Sequence, residues 1–396
     1  MDESPNKSIA STVTTPEHGA PQSNLAGIDV MRGIAALIVA AFHTREITWV
    51  GIHAFWQQFG LSAAPNVILG YLTLPLVWGA IGVPIFFVIS GYCIHRAQAL
   101  TRARTGSYRL AIGKFYWRRF FRIYPVLAGA LLLTLICDWT SRHYFPNSYK
   151  LGDTGAGLFF INLLSLQGNA GPTYGSNLPL WTLSIEVQFY AVYPLLVMLM
   201  SRFGSLPTLG IIGVVNAASY FAFERRGYQL FMSYYVSWYL GALVAEMEAT
   251  KLFSTQLLSR SFRRGLCGCS FAILSFGCLL LFFSPYFAFQ VWAVAFSVFL
   301  LVMLRHRGDV RRNVTKVFQW LGTFSFSIYI IHLPVVVLVH SIFFNSVHQT
   351  SIVPFFATLL TAVGCAYVFS LIFERPALAL SKSFKGRRLL VEPTPP

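Results

Sequence analysis

The sequence predicts an all-α fold: a polytopic transmembrane bundle of about ten helices with both termini in the cytoplasm. Three observations predict it. Of the 396 residues, 55% are hydrophobic and only 11% charged, where an ordinary soluble domain is about a quarter charged. The mean hydropathy is +0.60. Apolar stretches of roughly 20 residues, the length needed to cross a hydrocarbon core, recur along the chain. The high Phe content, 36 residues, suits a lipid-facing surface.

The predicted spans are 30–50, 70–94, 119–138, 178–200, 208–223, 229–247, 265–283, 286–304, 318–342 and 352–373. The weaker apolar segment 155–168 reads as a re-entrant or interfacial piece in the loop before the fourth span. Residues 1–24 are rich in Ser, Thr and Pro and lack the apolar centre of a signal peptide. They read as a disordered cytoplasmic tail, which leaves the first span as an uncleaved signal anchor. Residues 25–376 then form the membrane domain and 377–396 a basic cytoplasmic tail.

Charge sets the orientation. The net charge is +16, but the basic residues sit in short runs between apolar stretches, not on one soluble face. That argues against a nucleic-acid partner and for the positive-inside pattern. With the N-terminus inside, 25 of the 30 Lys and Arg residues are cytoplasmic. The five on the other side are Arg45, Arg142, Lys150, Arg225 and Arg226. The six cysteines lie in or beside apolar segments and read as small packing residues, with no disulfide framework. There is no P-loop, no zinc motif, and no inverted duplication of the helix pattern of the kind common in transporters. Nothing in the sequence fixes an oligomeric state.

Ionisable groups inside a membrane are functional candidates because burying them is costly. Arg32 and His43 are eleven residues apart, so they share a helix face with a separation of about 16 Å. His332 lies about 14 residues into the ninth span, at a depth of about 21 Å, and His43 lies at a similar depth in the first. Glu186, about eight residues into the fourth span from the opposite side, falls about 18 Å from the inside. Three ionisable side chains from separate helices thus reach one level. Ser325, Tyr329 and His332 share one helical face. A His with a carboxylate suits general acid–base work on a hydroxyl near neutral pH, the carboxylate orienting the imidazole or holding the acceptor. A proton relay uses the same residue types. Arg119 and Arg122, three apart in Trp117-Arg-Arg-Phe-Phe-Arg-Ile-Tyr-Pro125, share a face at a cytoplasmic helix end. They read either as a topology anchor or as a phosphate-binding pair. The run Gly82-Val-Pro-Ile-Phe-Phe-Val-Ile-Ser-Gly91 allows close approach of a helix or a ligand.

Together these blocks resemble the acyltransferase-3 family of bacterial membrane acyltransferases. Gly27-Ile-Asp-Val-Met-Arg-Gly-Ile-Ala-Ala36 followed by Phe42-His43 resembles the family's first-helix signature, including Arg-x10-His. Gly82–Gly91 resembles its second-helix motif, and Arg119-x-x-Arg122 with Tyr124-Pro125 its third. Pro179-Leu-Trp-Thr-Leu-Ser-Ile-Glu-Val-Gln-Phe-Tyr190 is the most specific block. Ser327-Ile-Tyr-Ile-Ile-His332 and Phe373-Glu-Arg-Pro376 resemble the last two. Val30 and Val187 depart from the usual Gly and Glu. The C-terminal hydrolase-like domain of some members is not expected here.

The resemblance implies O-acylation, usually O-acetylation, of a carbohydrate at a bacterial inner membrane. No permanently bound cofactor is implied. Acetyl-CoA or another acyl-CoA would be the donor. The acceptor would be a polysaccharide, lipopolysaccharide, peptidoglycan or lipo-oligosaccharide. By the matched positions, His43 would be the catalytic base and Arg32 its partner in the motif. Arg119 and Arg122, with Ser90 and Gly91, would hold the donor, while Glu186 and His332 would line the acceptor side. Two other readings stay open: a transporter or flippase of a lipid-linked sugar, and an O-acyltransferase acting on a soluble metabolite such as a macrolide sugar.

Overall fold

The computed structural model describes residues 22–145, 147–250, 259–305 and 313–383. Most of the two tails expected from the sequence lies outside these residues. Residues 22–24 are the first turn of helix α1 (Gln22–Thr48). Residues 377–383 belong to α15 (Arg375–Ser383), packed on α5 (Ile112–Tyr144). Between them run α2 (Ile52–Phe59), α3 (Pro65–Leu72), a 3-10 segment Leu74–Ile81, and α4 (Gly82–Thr105). After α5 come α6 (Ala156–Leu163), α7 (Leu180–Phe203), α8 (Ser205–Ala222), α9 (Tyr235–Ala249), α10 (Arg260–Leu280) and α11 (Pro285–Arg305). The chain closes with α12 (Asn313–Thr323), α13 (Ser325–Phe344), α14 (Val353–Phe369) and a π turn, Ser370–Glu374, that leads into α15.

Among the described residues, nine helical stretches are long and apolar enough to cross a membrane, and no strand is present. The chain is a multi-pass membrane protein. Large apolar side chains such as Phe283, Leu206, Val214 and Leu360 point outward, which gives the bundle a surface that suits lipid. The expected span 229–247 falls on α9, which has 15 residues. That is shorter than the roughly 20 that reach across hydrocarbon. It packs between α4 and α11.

Glycines set the closest crossings. Gly91 on α4 lies against the Trp238 carbonyl on α9, and Gly241 on α9 lies against the Val88 carbonyl on α4. Gly33 on α1 faces the Phe318 carbonyl, and Gly322 on α12 faces that of Asp29. Each pair lets two backbones touch where a Cβ would collide. Gly91→Ala is therefore expected to push the two backbones apart at a cost of about 1–3 kcal/mol. Thermal unfolding in detergent checks this, since an unchanged melting temperature would show that the crossing has room.

The ninth expected span differs most from the sequence reading. It is broken at Phe324 into α12 and α13, so His332 sits seven residues into a separate helix. Local chemistry explains the break. Thr323 Oγ1 donates to the Trp320 carbonyl and Ser325 Oγ to that of Gly322, bonds that compete with the helix ladder. Segment 155–168 forms the short helix α6 and a folded turn. Gln167 donates to the Leu180 carbonyl and Ser184 to that of Ser165, which ties the turn to the start of α7.

Candidate active site

A cavity of about 150 Å³ runs between α1, α4, α5, α7 and α13. It follows α4 from Val83 to Ile94 and α7 from Pro179 to Tyr190, about 16 Å of helix. Arg32, Arg119 and Arg122 line one end, together with Cys93. The sequence reading separated Arg32 from the Arg pair, whereas the fold gathers all three. Arg32 has Asp29 at 3.8 Å. The Arg119 guanidinium lies 5.4 Å from the Tyr190 ring centroid and 5.7 Å from that of Phe115, and its Nε is buried without a hydrogen-bond partner. Three cationic groups gathered at one end of a partly closed cavity, facing one lining carboxylate, Glu186, favour an anion.

The middle of the cavity holds a hydrogen-bonded chain. Trp238 Nε1 donates to Ser90 Oγ at 3.2 Å, and Ser90 Oγ donates to Glu186 Oε1 at 2.9 Å. Tyr190 OH donates to the same carboxylate oxygen. Ser90 and Glu186 both line the cavity, but Gly91 does not. Its place is the α4–α9 crossing, because residues 90 and 91 are about 100° apart around a helix.

Tyr329 closes the far end. Its hydroxyl lies 2.8 Å from Thr182 Oγ1 and its ring meets Phe86 edge-on at 5.4 Å. Directly behind this wall the His332 ring packs 6.1 Å from Tyr329. His43 stacks on His332 with centroids 5.4 Å apart and planes 28° apart. His332 Nδ1 lies 2.8 Å from the Tyr329 carbonyl and 3.0 Å from that of Ile328. Carbonyls only accept, so Nδ1 carries the proton and Nε2 is left buried without a partner. His43 keeps 14% of its side chain exposed while His332 has none, so His43 is the ring a substrate can reach.

The fold thus brings together two of the three ionisable groups expected at one level. Glu186 is not the carboxylate beside the imidazoles, because it bonds to Ser90 and Tyr190 on the cavity side of the Tyr329 wall. Glu46 takes that place, with Oε2 3.5 Å from His43 Nδ1 and Oε1 2.5 Å from Lys150 Nζ. The sequence did carry the signal, since residues three apart share a helix face. Lys150 adopts φ +63°, a strained conformation for a non-glycine, and so presents its amine to Glu46.

Two further polar groups hold α13 and were given no role by the sequence. Pro334 has no N–H for the Ile330 carbonyl. Asn177 Nδ2 donates to that oxygen at 2.9 Å and also to Thr134 Oγ1. Glu374, in the π turn, accepts from Ser327 N at 3.0 Å and from Ser327 Oγ at 2.5 Å.

A family model described as an acyltransferase domain matches residues 25–371. The chain belongs to the acyltransferase-3 family. Among acyltransferase-3 relatives, the peptidoglycan O-acetyltransferase OatA of Listeria monocytogenes is 24% identical over 78% of this chain and 49% of its own length. A Komagataeibacter xylinus protein described as a membrane-bound transacylase, BcsY, is 24% identical over 94% of this chain and 89% of its own. The acyltransferase MdmB of Streptomyces mycarofaciens is 29% identical over 42% and 37%. The chain spans about half the length of OatA. No solved structure matches it.

Proposed function

We propose that this acyltransferase-3 protein transfers an acyl group, in the first instance acetyl, from acyl-CoA to a hydroxyl of a cell-surface or exported carbohydrate. The observation that carries the reading is one continuous arrangement. A cavity with three arginines at one end stops at Tyr329, directly in front of the stacked His43 and His332. OatA acts on peptidoglycan by its name, which favours a carbohydrate acceptor. The basic residues favour a bacterial inner membrane with the arginine end facing the cytoplasm, where acyl-CoA is supplied.

In this mechanism the donor phosphates pair with Arg32, Arg119 and Arg122, and the pantetheine arm follows the cavity past Ser90 and Glu186. Side-chain rotation of Phe86 or Tyr329, with the α13 backbone held in place, opens the wall to the thioester. The acceptor hydroxyl arrives from the His43 side. With Nδ1 directed at Glu46, His43 Nε2 takes the hydroxyl proton. The oxygen attacks the thioester carbonyl, the C–O bond forms and the C–S bond breaks. The leaving thiolate takes the proton back from His43. Glu46 holds the ring and stabilises the imidazolium formed on the way.

Membranes from cells expressing the chain, given radiolabelled acetyl-CoA, are expected to move label into a carbohydrate fraction. Movement of a lipid-linked sugar across the membrane without use of acetyl-CoA would overturn the reading in favour of a flippase. Label appearing only in a small soluble acceptor would keep the chemistry and replace the substrate.

A further inference from the structure

We infer that Glu374 is a positioning residue that caps the buried start of α13 and thereby fixes both Tyr329 and His332. This rests on the proposed function for its kinetic consequence but not for its structural content.

Breaking a helix inside a membrane domain exposes N–H groups that have no partner in the preceding turn. Away from water each such group is costly. The break at Phe324 creates this situation, and Phe324 and Ser325 are both fully buried or nearly so. No side-chain cap comes from the residue before the helix. One carboxylate oxygen of Glu374 supplies it instead, accepting from both the amide and the hydroxyl of Ser327. A negative charge at a helix N-terminus is also favoured by the aligned peptide dipoles.

The neighbouring helix is built to deliver this carboxylate. Between α14 and α15 the chain makes a π turn at Ser370–Glu374. That local widening redirects one side chain and recurs at functional sites. Glu374 is 5% exposed. It occupies the last position of the π turn, next to Phe373, whose ring lies against Gly129 of α5. A buried carboxyl that accepts from both groups of Ser327 is difficult to explain as packing alone, since an apolar residue would fill the same space with no desolvation cost.

What depends on Ser327 is specific. Tyr329, two residues on, forms the end wall of the cavity. His332, five residues on, donates its Nδ1 proton to the Ile328 and Tyr329 carbonyls, which directly follow Ser327. A frayed first turn would therefore release the wall and the His332 ring together. Asn177 holds only the following turn, at Ile330.

The test uses the full chain in lipid nanodiscs, with Glu374→Ala, Glu374→Gln and Ser327→Ala. Deuterium exchange is read over 325–333, with 83–94 of α4 as the reference segment. Glu374→Ala is expected to speed exchange at 327–329 about tenfold or more, as loss of a charge-assisted bond implies. Glu374→Gln keeps an acceptor oxygen and is expected to recover much of that protection. Acetyl transfer from radiolabelled acetyl-CoA to the membrane carbohydrate fraction, counted per folded molecule, is expected to lose about tenfold in kcat with donor KM within about twofold. A merely structural residue would instead lower folded yield and leave kcat per folded molecule intact, and that outcome overturns the proposal. Unchanged exchange over 325–333 in Glu374→Ala also overturns it. A wild-type chain that transfers no label defeats the proposed function, and the exchange result then decides the capping by itself.

Discussion

His43→Ala is expected to lower acyl transfer by about two to four orders of magnitude, the range a positioned acid–base group contributes, and to leave the protein folded. His43 is the more accessible member of the stacked pair, and its partner His332 stays held by the Ile328 and Tyr329 carbonyls. Glu46→Gln should have a smaller effect of the same kind, about tenfold or less in kcat, because it keeps the side chain's shape and removes the charge that stabilises the imidazolium. The same conservative change at Glu186 acts elsewhere. It disturbs the Ser90 and Tyr190 hydrogen bonds in the cavity and is expected to act mainly on donor KM. Kinetics of the three variants over both substrates check this. Transfer within tenfold of wild type in His43→Ala would remove the base assignment. Equal kcat loss at Glu46 and Glu186 would remove the division of roles.

Arg119→Ala is expected to raise donor KM about 10- to 150-fold, from the roughly 1.5–3 kcal/mol that a hydrogen bond to a charged group contributes. Of the three arginines, Arg119 has its guanidinium against the Phe115 and Tyr190 rings and its Nε buried without a partner. Those rings fix its plane before the anion arrives, so little freedom is lost on binding. Arg119→Lys keeps the charge but loses the planar fork and the stacking, and should fall between the two. Arg122→Ala and Arg32→Ala should raise donor KM in the same direction, and the effects should not add, because all three face one cavity. Initial rates against acyl-CoA concentration check this. A donor KM unchanged by Arg119→Ala would separate the arginine cluster from the donor and leave it as a topology anchor.

Much of the site was legible in the sequence. Arg32 and His43 are eleven residues apart, and the helix period alone places them on one face about 16 Å apart. Arg119 and Arg122 share a face for the same reason. The resemblance put Ser90 with the donor and Glu186 on the acceptor side, whereas the fold sets both in one cavity and joins them by a hydrogen bond. Gly91, beside Ser90 in the same motif, turned out to serve a helix crossing. Neighbours in sequence face different ways on a helix, and a motif does not say which of its residues meets a ligand.

The expectation that Glu186 would stand with the histidines failed for a related reason. Counting residues gives depth along the bundle axis but no position across it. Tyr329 and Thr182 lie between Glu186 and the imidazoles, and nothing in the spacing of the fourth span reveals them. Glu46 was within reach of the i, i+3 rule but sits at the end of a span, where a charge has a sufficient explanation in topology. Glu374 and Asn177 could not have been given their roles from sequence at all. One caps a helix start that exists only because α12 and α13 part at Phe324, and the other satisfies a carbonyl that Pro334, lacking an N–H, leaves free.

By itself, then, the sequence determined the membrane architecture, the approximate places of the spans, the charge asymmetry and the family. Each follows from local quantities: apolar length, composition and the order of short motifs. Tertiary structure alone decided that Glu186 stands apart from His43, that three arginines share one cavity, where the ninth span breaks and what caps it. These depend on the lateral placement of helices, which is set by close glycine crossings and by buried polar groups seeking partners across the bundle. Neither is encoded in the period of any single helix.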